Sequence, residues 1–395
     1  MQQTPTKSCI PTRGFPQCEF EQRIARTQSL MREQRIDALF LTTEPEVRYF
    51  SGFHSQFWES PTRPWYLIVP LNGKPIAVIP EIGAAGMHTT WLDDIRTWWS
   101  PQPADDGVTL VADTLKNLPS RYGRIGVPMG HETLVRMPAA DFSVLTDKLA
   151  NVEFIDAGMM MRSIRAIKSN AEIEKIRYVC ELTSDAFINL PNKVSAGESE
   201  RDICRKLKVD LLNRGADDSP YVVAASGSNG YDNIIMGPTD RILGETDVLI
   251  IDTGTVFDGY FCDFDRNFAF GAVSDECKRA HDVVYQATEA GINAARPGAT
   301  PSELADVMWK ILQEGGALGN DVGRLGHGLG MQLTEGLSNM PGDHTKLEPD
   351  MVITIEPGMC FAPGKLMVHE ENIVIRDGEA ELLSKRAAPE MPVIR

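Results

Sequence analysis

Apolar positions along the first third of the chain switch repeatedly between helical and strand spacing. Over residues 19–35, Ile24, Leu30 and Met31 recur among charged neighbours, the spacing of an amphipathic helix. Asp37-Ala38-Leu39-Phe40-Leu41 reads as a strand, and residues 66–69 and 75–79 read as two more, joined by the turn Leu71-Asn72-Gly73-Lys74. Helical spacing returns over 110–118 and 139–149, with a short strand over 124–127 between them. The alternation predicts an α/β domain over residues 1–160, in which the polar, Pro-containing residues 1–18 form an N-terminal arm.

A second domain, residues 161–395, is expected to open on a long helix. Ser169 is placed to cap it and Glu172 follows three residues later, the spacing of a capping box. A related signature occurs twice more. Ala196-Gly197-Glu198-Ser199-Glu200-Arg201-Asp202-Ile203 and Pro297-Gly298-Ala299-Thr300-Pro301-Ser302-Glu303-Leu304 share a glycine, a hydroxyl cap, an acid three residues after the cap and a following aliphatic. Either two helices merely share a start signal, or an α/β unit is duplicated about 100 residues apart with a pseudo-two-fold site between its halves.

Between the two copies, residues 248–268 read VLIIDTGTVFDGYFCDFDRNF. Apolar runs on either side of Asp258-Gly259 predict a hairpin, with Asp252 and Asp263 facing each other across paired strands. Two carboxylates inside an apolar sheet repel and lose hydration, so they are tolerated only when protonated or sharing a cation. A divalent metal is the natural cation; in the plainer reading one Asp caps the turn and the other pairs with Arg266.

Composition narrows the partners. The 395 residues carry a formal charge of -16, which argues against nucleic acid or an anionic membrane and suits a cationic or zwitterionic small molecule. Seven cysteines without a CxxC pair suggest neither a disulfide framework nor a zinc ribbon, so a reducing cytoplasm is expected. The N-terminus lacks an apolar signal core and no apolar run is long enough to span a bilayer. Trp58 and Trp65 lie beside prolines in one loop, with Trp91, Trp98 and Trp99 further on. They are either plain packing or an aromatic wall for a ligand cation, since a cation over an indole face gains roughly 0.5–2 kcal/mol.

Three more residues join the two aspartates as candidate ligands. His327 stands in Gly326-His327-Gly328-Leu329-Gly330, where glycines leave room beside the imidazole. Glu356 ends the apolar run Met351-Val352-Ile353-Thr354-Ile355, and Glu370 lies beside another, with Glu371 as its outward neighbour by strand alternation. Asp252, Asp263, His327, Glu356 and Glu370 suit two carboxylate-bridged divalent ions such as Mn, Fe, Co or Zn. A water shared by such ions is acidified into a nucleophile.

These residues lie in a series of motifs: ASGSNG at 225–230, PTDRIL at 238–243, DTGTVFDGYFCDFDR at 252–266, GHGLG at 326–330 and TIEPG at 354–358, after a linker RAIKSNAEIEKIR at 165–177. Together they resemble the prolidase/creatinase family, which includes methionine and Xaa-Pro aminopeptidases. The resemblance implies an α/β (α+β) pita-bread C-terminal domain behind a smaller N-terminal one, the five residues as a dinuclear metal set, and a homodimer.

The chain also departs from the family's peptidases. They carry a histidine after the ASG loop, where this chain has Asn233-Ile234-Ile235-Met236, and another after GHGxG, where it has Thr334-Glu335. Asp265 replaces the usual hydroxyl of D-x-[ST]-R and becomes a candidate ligand, base or partner of Arg266. Tyr231 and Asp232 fall where peptidases bind substrate, Asp232 being a second candidate base, and His369 is a candidate support for Glu370. With both histidines replaced, the expectation is cleavage of a small zwitterion in the manner of the pita-bread dimethylsulfoniopropionate lyase, creatinase or ectoine hydrolase, with Trp58 and Trp65 facing the onium group. An Xaa-Pro dipeptidase or aminopeptidase in which Glu356 shuttles the proton is the alternative, and a non-catalytic binding module the third.

Overall fold

The computed structural model describes residues 10–59, 63–319 and 323–394. Residues 1–9 of the expected N-terminal arm, and Ser60, Pro61 and Thr62 of the aromatic loop, lie outside the described residues. The chain divides into two compact units, Thr12–Ile164 and one built on Arg165–Arg395.

In the first unit, α1 (Gln17–Gln34), β1 (Ala38–Leu41), α2 (Glu44–Ser51), β2 (Tyr66–Pro70), β3 (Ile76–Pro80), α3 (Ala84–Met87), β4 (Asp94–Trp98), α4 (Val108–Lys116), β5 (Arg124–Val127), α5 (Ala139–Lys148) and β6 (Glu153–Asp156) follow in order. The strands form one mixed sheet in the order β4-β3-β2-β1-β5-β6. Phe40, Ile68, Val78 and Val127 bury one face of it against Val111, Leu115 and Leu145 of α4 and α5. Asp37 ties the sheet's centre to the approach of β5, its carboxylate accepting from the amides of Arg121, Tyr122 and Gly123.

Helix α6 (Gly158–Ala166) leads into the second unit, where α7 (Asn170–Asn189) and α8 (Glu200–Arg214) precede β7 (Asp218–Ser228), β8 (Asp247–Phe257), β9 (Tyr260–Phe261) and β10 (Phe264–Phe270). A second helix pair, α9 (Asp275–Ala294) and α10 (Pro301–Glu314), precedes β11 (Val352–Ile355), β12 (Gly358–Ala362), β13 (Lys365–Val368), β14 (Glu371–Val374), β15 (Glu381–Leu382) and β16 (Val393–Ile394). The duplication read from the cap signatures is therefore a repeated helix pair followed by strands. Ser169, Ser199 and Thr300 each cap their helix, their side chains accepting from the amides of Glu172, Asp202 and Glu303.

The first half contributes the sheet β16-β10-β8-β7, with β9 paired to β8; the second contributes β11-β14-β15 and the ribbon β12-β13. Val284, Leu304, Met308, Ile353, Ile355 and Ile373 form the core under α9 and α10, each worth roughly 1.5–3 kcal/mol when fully buried.

The hairpin forms at Asp258-Gly259, both with positive φ (48° and 81°), but its register corrects the expected facing pair. A two-residue loop pairs Phe257 with Tyr260 and, counting outward, Asp252 with Asp265 rather than Asp263. Asp263 lies two residues nearer the turn on the same face of the ribbon.

Candidate metal centre

Five strand ends and loops of the second unit converge on one cluster. Strand β8 carries Asp252, and Asp263 sits in the break between β9 and β10. Glu356 follows β11, and Glu370 occupies the link between β13 and β14. The loop carrying His327 runs beside β11: Thr354 N donates to His327 O at 2.7 Å, and Glu356 N donates to Leu325 O at 3.0 Å. Gly326 is required there. It holds φ +129°, and a Cβ on it would lie 2.3 Å from Thr354 O.

His327 Nε2 stands 3.4 Å from Asp263 Oδ2. Ligand atoms of Asp263, His327 and Glu370 all lie within 4.8 Å of one another, and all three residues are buried. Asp252 Oδ1, Asp263 Oδ1 and Glu370 Oε1 are buried without a hydrogen-bond partner among the described residues. Carboxylate oxygens so placed fit a cation that uses their lone pairs, and the set of hard oxygens with one imidazole suits a divalent metal.

Electrostatics say the same. Burial, then Asp263, pushes Asp252 well above the usual carboxylate range, against the hydrogen bond from the Tyr221 side chain. Burial and Asp265 raise Asp263, and burial, Glu356 and Asp263 raise Glu370. Glu356 is pushed up to about 8 by burial and by Asp252, Asp263 and Asp265, against the pull of His327. Each shift has the same cause: buried carboxylates that repel one another, the arrangement a divalent cation would relieve.

Two supporting residues were not found from sequence. Tyr221, half-buried on β7, pairs with Gly254, and burial followed by Asp252, Asp263, Glu370 and Glu356 pushes its phenol upward. Strand alternation with Val223, the partner of Asp252, would have placed it on this face. Asn372 holds Asp263 by both backbone groups: Asp263 N donates to Asn372 Oδ1 at 3.0 Å, and Asn372 Nδ2 donates to Asp263 O.

The remaining candidates fall elsewhere. Asp265 is on the cluster face, and Arg266 does not pair with its carboxylate; the guanidinium reaches Glu371 Oε2 at 3.0 Å and the carbonyls of Asp265, Glu370 and Lys385. Glu371, expected to face outward, is fully buried and also accepts from Arg386 Nη1 at 3.0 Å. His369 lies beside Thr288 and Arg386. Tyr231 is buried, its hydroxyl donating to Asn267 Oδ1 at 3.0 Å and accepting from Val368 N at 2.8 Å, whereas Asp232 is exposed. Where the peptidases carry their histidines, Thr334 is half-buried, with Glu335 beside it held between Arg165 and Lys168, and the stretch 233–236 includes Ile235, 78% exposed. In the first unit Trp65 is 1% exposed and packs 6.2 Å from Trp58, whose ring carries the guanidinium of Arg136 at 5.2 Å.

A buried group of carboxylates and one imidazole, drawn from both halves of a duplicated α/β unit, is a candidate site for a divalent metal of the oxygen-preferring kind. The chain belongs to metallopeptidase family M24, whose model matches residues 174–377, and residues 23–167 match the creatinase/prolidase N-terminal domain. An Xaa-Pro dipeptidase of Lactobacillus delbrueckii subsp. lactis is 25% identical over 358 residues, 89% of this chain and 94% of that protein. An Xaa-Pro dipeptidase of Pyrococcus furiosus is 24% identical over 370 residues, 92% and 98% of the two. The crystal structure of dipeptidase PepE from Mycobacterium ulcerans superposes with a TM-score of 0.84 at 24% identity, over 96% of this chain and 99% of that one. A recombinant prolidase from Thermococcus sibiricus gives 0.85 at 23% identity, over 95% and 99%. The two-domain pita-bread architecture expected from the motifs is thus the fold of this chain.

The same comparisons overturn the expected lyase or small-zwitterion hydrolase: the relatives that match nearly the whole chain are named dipeptidases and prolidases. The likeness rests on the motifs that carry the ligand candidates, which the two replaced histidines leave intact. Among the described residues, no helix is long and apolar enough to cross a membrane.

Proposed function

We propose that the protein is a divalent-metal-dependent dipeptidase of the prolidase type, hydrolysing short peptides that include Xaa-Pro dipeptides. The observation that carries this reading is the cluster of buried, partnerless carboxylate oxygens beside His327, within the segment matched by the metallopeptidase family. Asp252, Asp263, His327, Glu356 and Glu370 would hold two ions drawn from Fe, Mn, Co and Zn. Such ions supply Lewis acidity to the scissile carbonyl and acidify water.

The chain's own residues do the rest. Glu356, less enclosed than Glu370, takes a proton from the attacking water and delivers it to the departing amide nitrogen, so that the C–N bond breaks as the new C–O bond forms. The glycines around His327 let its loop pack against Thr354 and Glu335, which fixes the imidazole beside Asp263. By its resemblance to the family the protein is proposed to be a homodimer, which sedimentation of the purified protein checks.

The test is release of free amino acids, followed by proton NMR, from Xaa-Pro and non-proline dipeptides with Mn2+, Co2+, Zn2+ or Fe2+ reconstituted protein. Wild type is expected to cleave members of the panel, and Glu356→Gln to lose about 100-fold or more in turnover, the scale of a general acid–base group. Intact dipeptides under every metal would remove the proposal.

A further inference from the structure

We propose that Asp265 is a sixth donor of the metal centre, a carboxylate ligand added to the five-residue set that biases the site toward hard, oxygen-preferring cations such as Mn2+. The family pattern this chain resembles has a hydroxyl residue at this position, so the added carboxylate is a property of this chain. Its placement follows from the hairpin register. Asp265 stands directly opposite Asp252. Cys262 N donates to Thr255 O at 2.9 Å, and counting by twos along the ladder makes Asp252 and Asp265 a pair of the non-hydrogen-bonded kind, in which side chains approach most closely. Opposed Cβ atoms of that kind lie about 4.5–5.5 Å apart, within reach of one shared cation.

The surroundings leave Asp265 no other partner for one of its oxygens. The residue is 2% exposed, and Oδ2 has no hydrogen-bond partner. Oδ1 receives only a long contact, 3.4 Å from Asn267 Nδ2, which donates at 2.7 Å to Val368 O. Asn267 is fixed in turn by Tyr231, so this side of the carboxylate is held while the other is left open. Arg266, the cation next to it in sequence, is committed to Glu371 and to three carbonyls. A buried carboxylate oxygen without a donor is costly. A cation shared across the ribbon with Asp252 Oδ1 would satisfy Asp265 Oδ2 as well. Five carboxylates and one imidazole form a harder set than four and one, and hard sets favour Mn2+ over borderline ions.

The experiment reads the metal alone, so its outcome is separate from that of the dipeptidase assay. Metal-free wild type, Asp265→Asn and Asp265→Ser are titrated calorimetrically with Mn2+ and with Zn2+. Each variant is expected to bind Mn2+ at least 10-fold more weakly, with a smaller loss for Zn2+, so that the Mn2+/Zn2+ affinity ratio falls. The rise in Tm on adding Mn2+ is expected to shrink in both variants, while the metal-free variants melt no lower than metal-free wild type. Wild-type affinities and an unchanged ratio in Asp265→Asn would overturn the proposal. So would variants that fail to fold without metal, because that would make Asp265 a structural anion.

Discussion

Asp263 is held by its backbone as well as by His327. At this point of the ribbon its N–H and C=O turn away from β8, and the carboxamide of Asn372, 109 residues further on, answers both. Asn372 is anchored in turn by Ser384 Oγ, which accepts from its amide at 3.0 Å, and by the carbonyl that takes Leu383 N at 2.9 Å. Asn372→Ala removes this clamp. It is expected to weaken divalent-metal affinity by about 10–100-fold, the cost of losing a supporting partner of a ligand. Two lost hydrogen bonds to buried groups should also lower stability by about 2–4 kcal/mol, measured by urea denaturation of the metal-free protein. The five ligand candidates could be read from motifs because each sits beside an apolar run or between glycines. Asn372 could not, since it carries no local signal and acts through contacts far away in sequence, and the alternation that places Tyr221 has meaning only once its strand is paired with that of Asp252.

Among the elements, the loop from Gly326 to Ser338 depends most on buried charge. Glu335 accepts from Lys168 Nζ at 3.1 Å and pairs with Arg165, and its amide donates to Gly328 O at 2.8 Å. Burial pushes its carboxyl up, but Arg165 and Lys168 hold it below the usual range. Glu335→Gln leaves two buried cations without their counter-charge and is expected to destabilise the protein by about 3–5 kcal/mol in chemical denaturation. Helix starts were legible: Ser169, Ser199 and Thr300 cap where their signatures predict. The hairpin turn was legible too, and a two-residue loop at Asp258-Gly259, counted outward, pairs Asp252 with Asp265. Strand β4 escaped because Asp94-Ile95-Arg96-Thr97-Trp98 is half-exposed throughout and shows no clean alternation.

At the scale of the whole molecule, the pH dependence of stability includes one well-defined contribution away from the metal centre. His281 on α9 is buried, and burial pushes its imidazole down to about 4. Its ordinary value is about 6.5, so between these values the unfolded chain binds a proton that the folded chain refuses. The contribution is fully present above pH 6.5 and is lost as pH falls toward 4, about 3 kcal/mol in all. Urea denaturation of wild type and His281→Gln across this window checks it: the variant is expected to show a flatter slope, and equal slopes would refute the assignment.

The sequence by itself determined the two-part α/β architecture, the duplicated helix starts, the hairpin and the residue types that gather at the centre, because caps, turns and apolar periodicity act over a few residues. It also carried the family, through motifs whose order and spacing are local facts. The tertiary structure decided which of those residues meet. It turned Arg266 toward Glu371, buried Glu371 and Glu335, enclosed Tyr231 and Trp65, and brought Asn372 to the backbone of Asp263. Those outcomes depend on desolvation and on partners tens to hundreds of residues away. Pairing across such distances is settled when the sheets pack, so no local pattern in the chain records it.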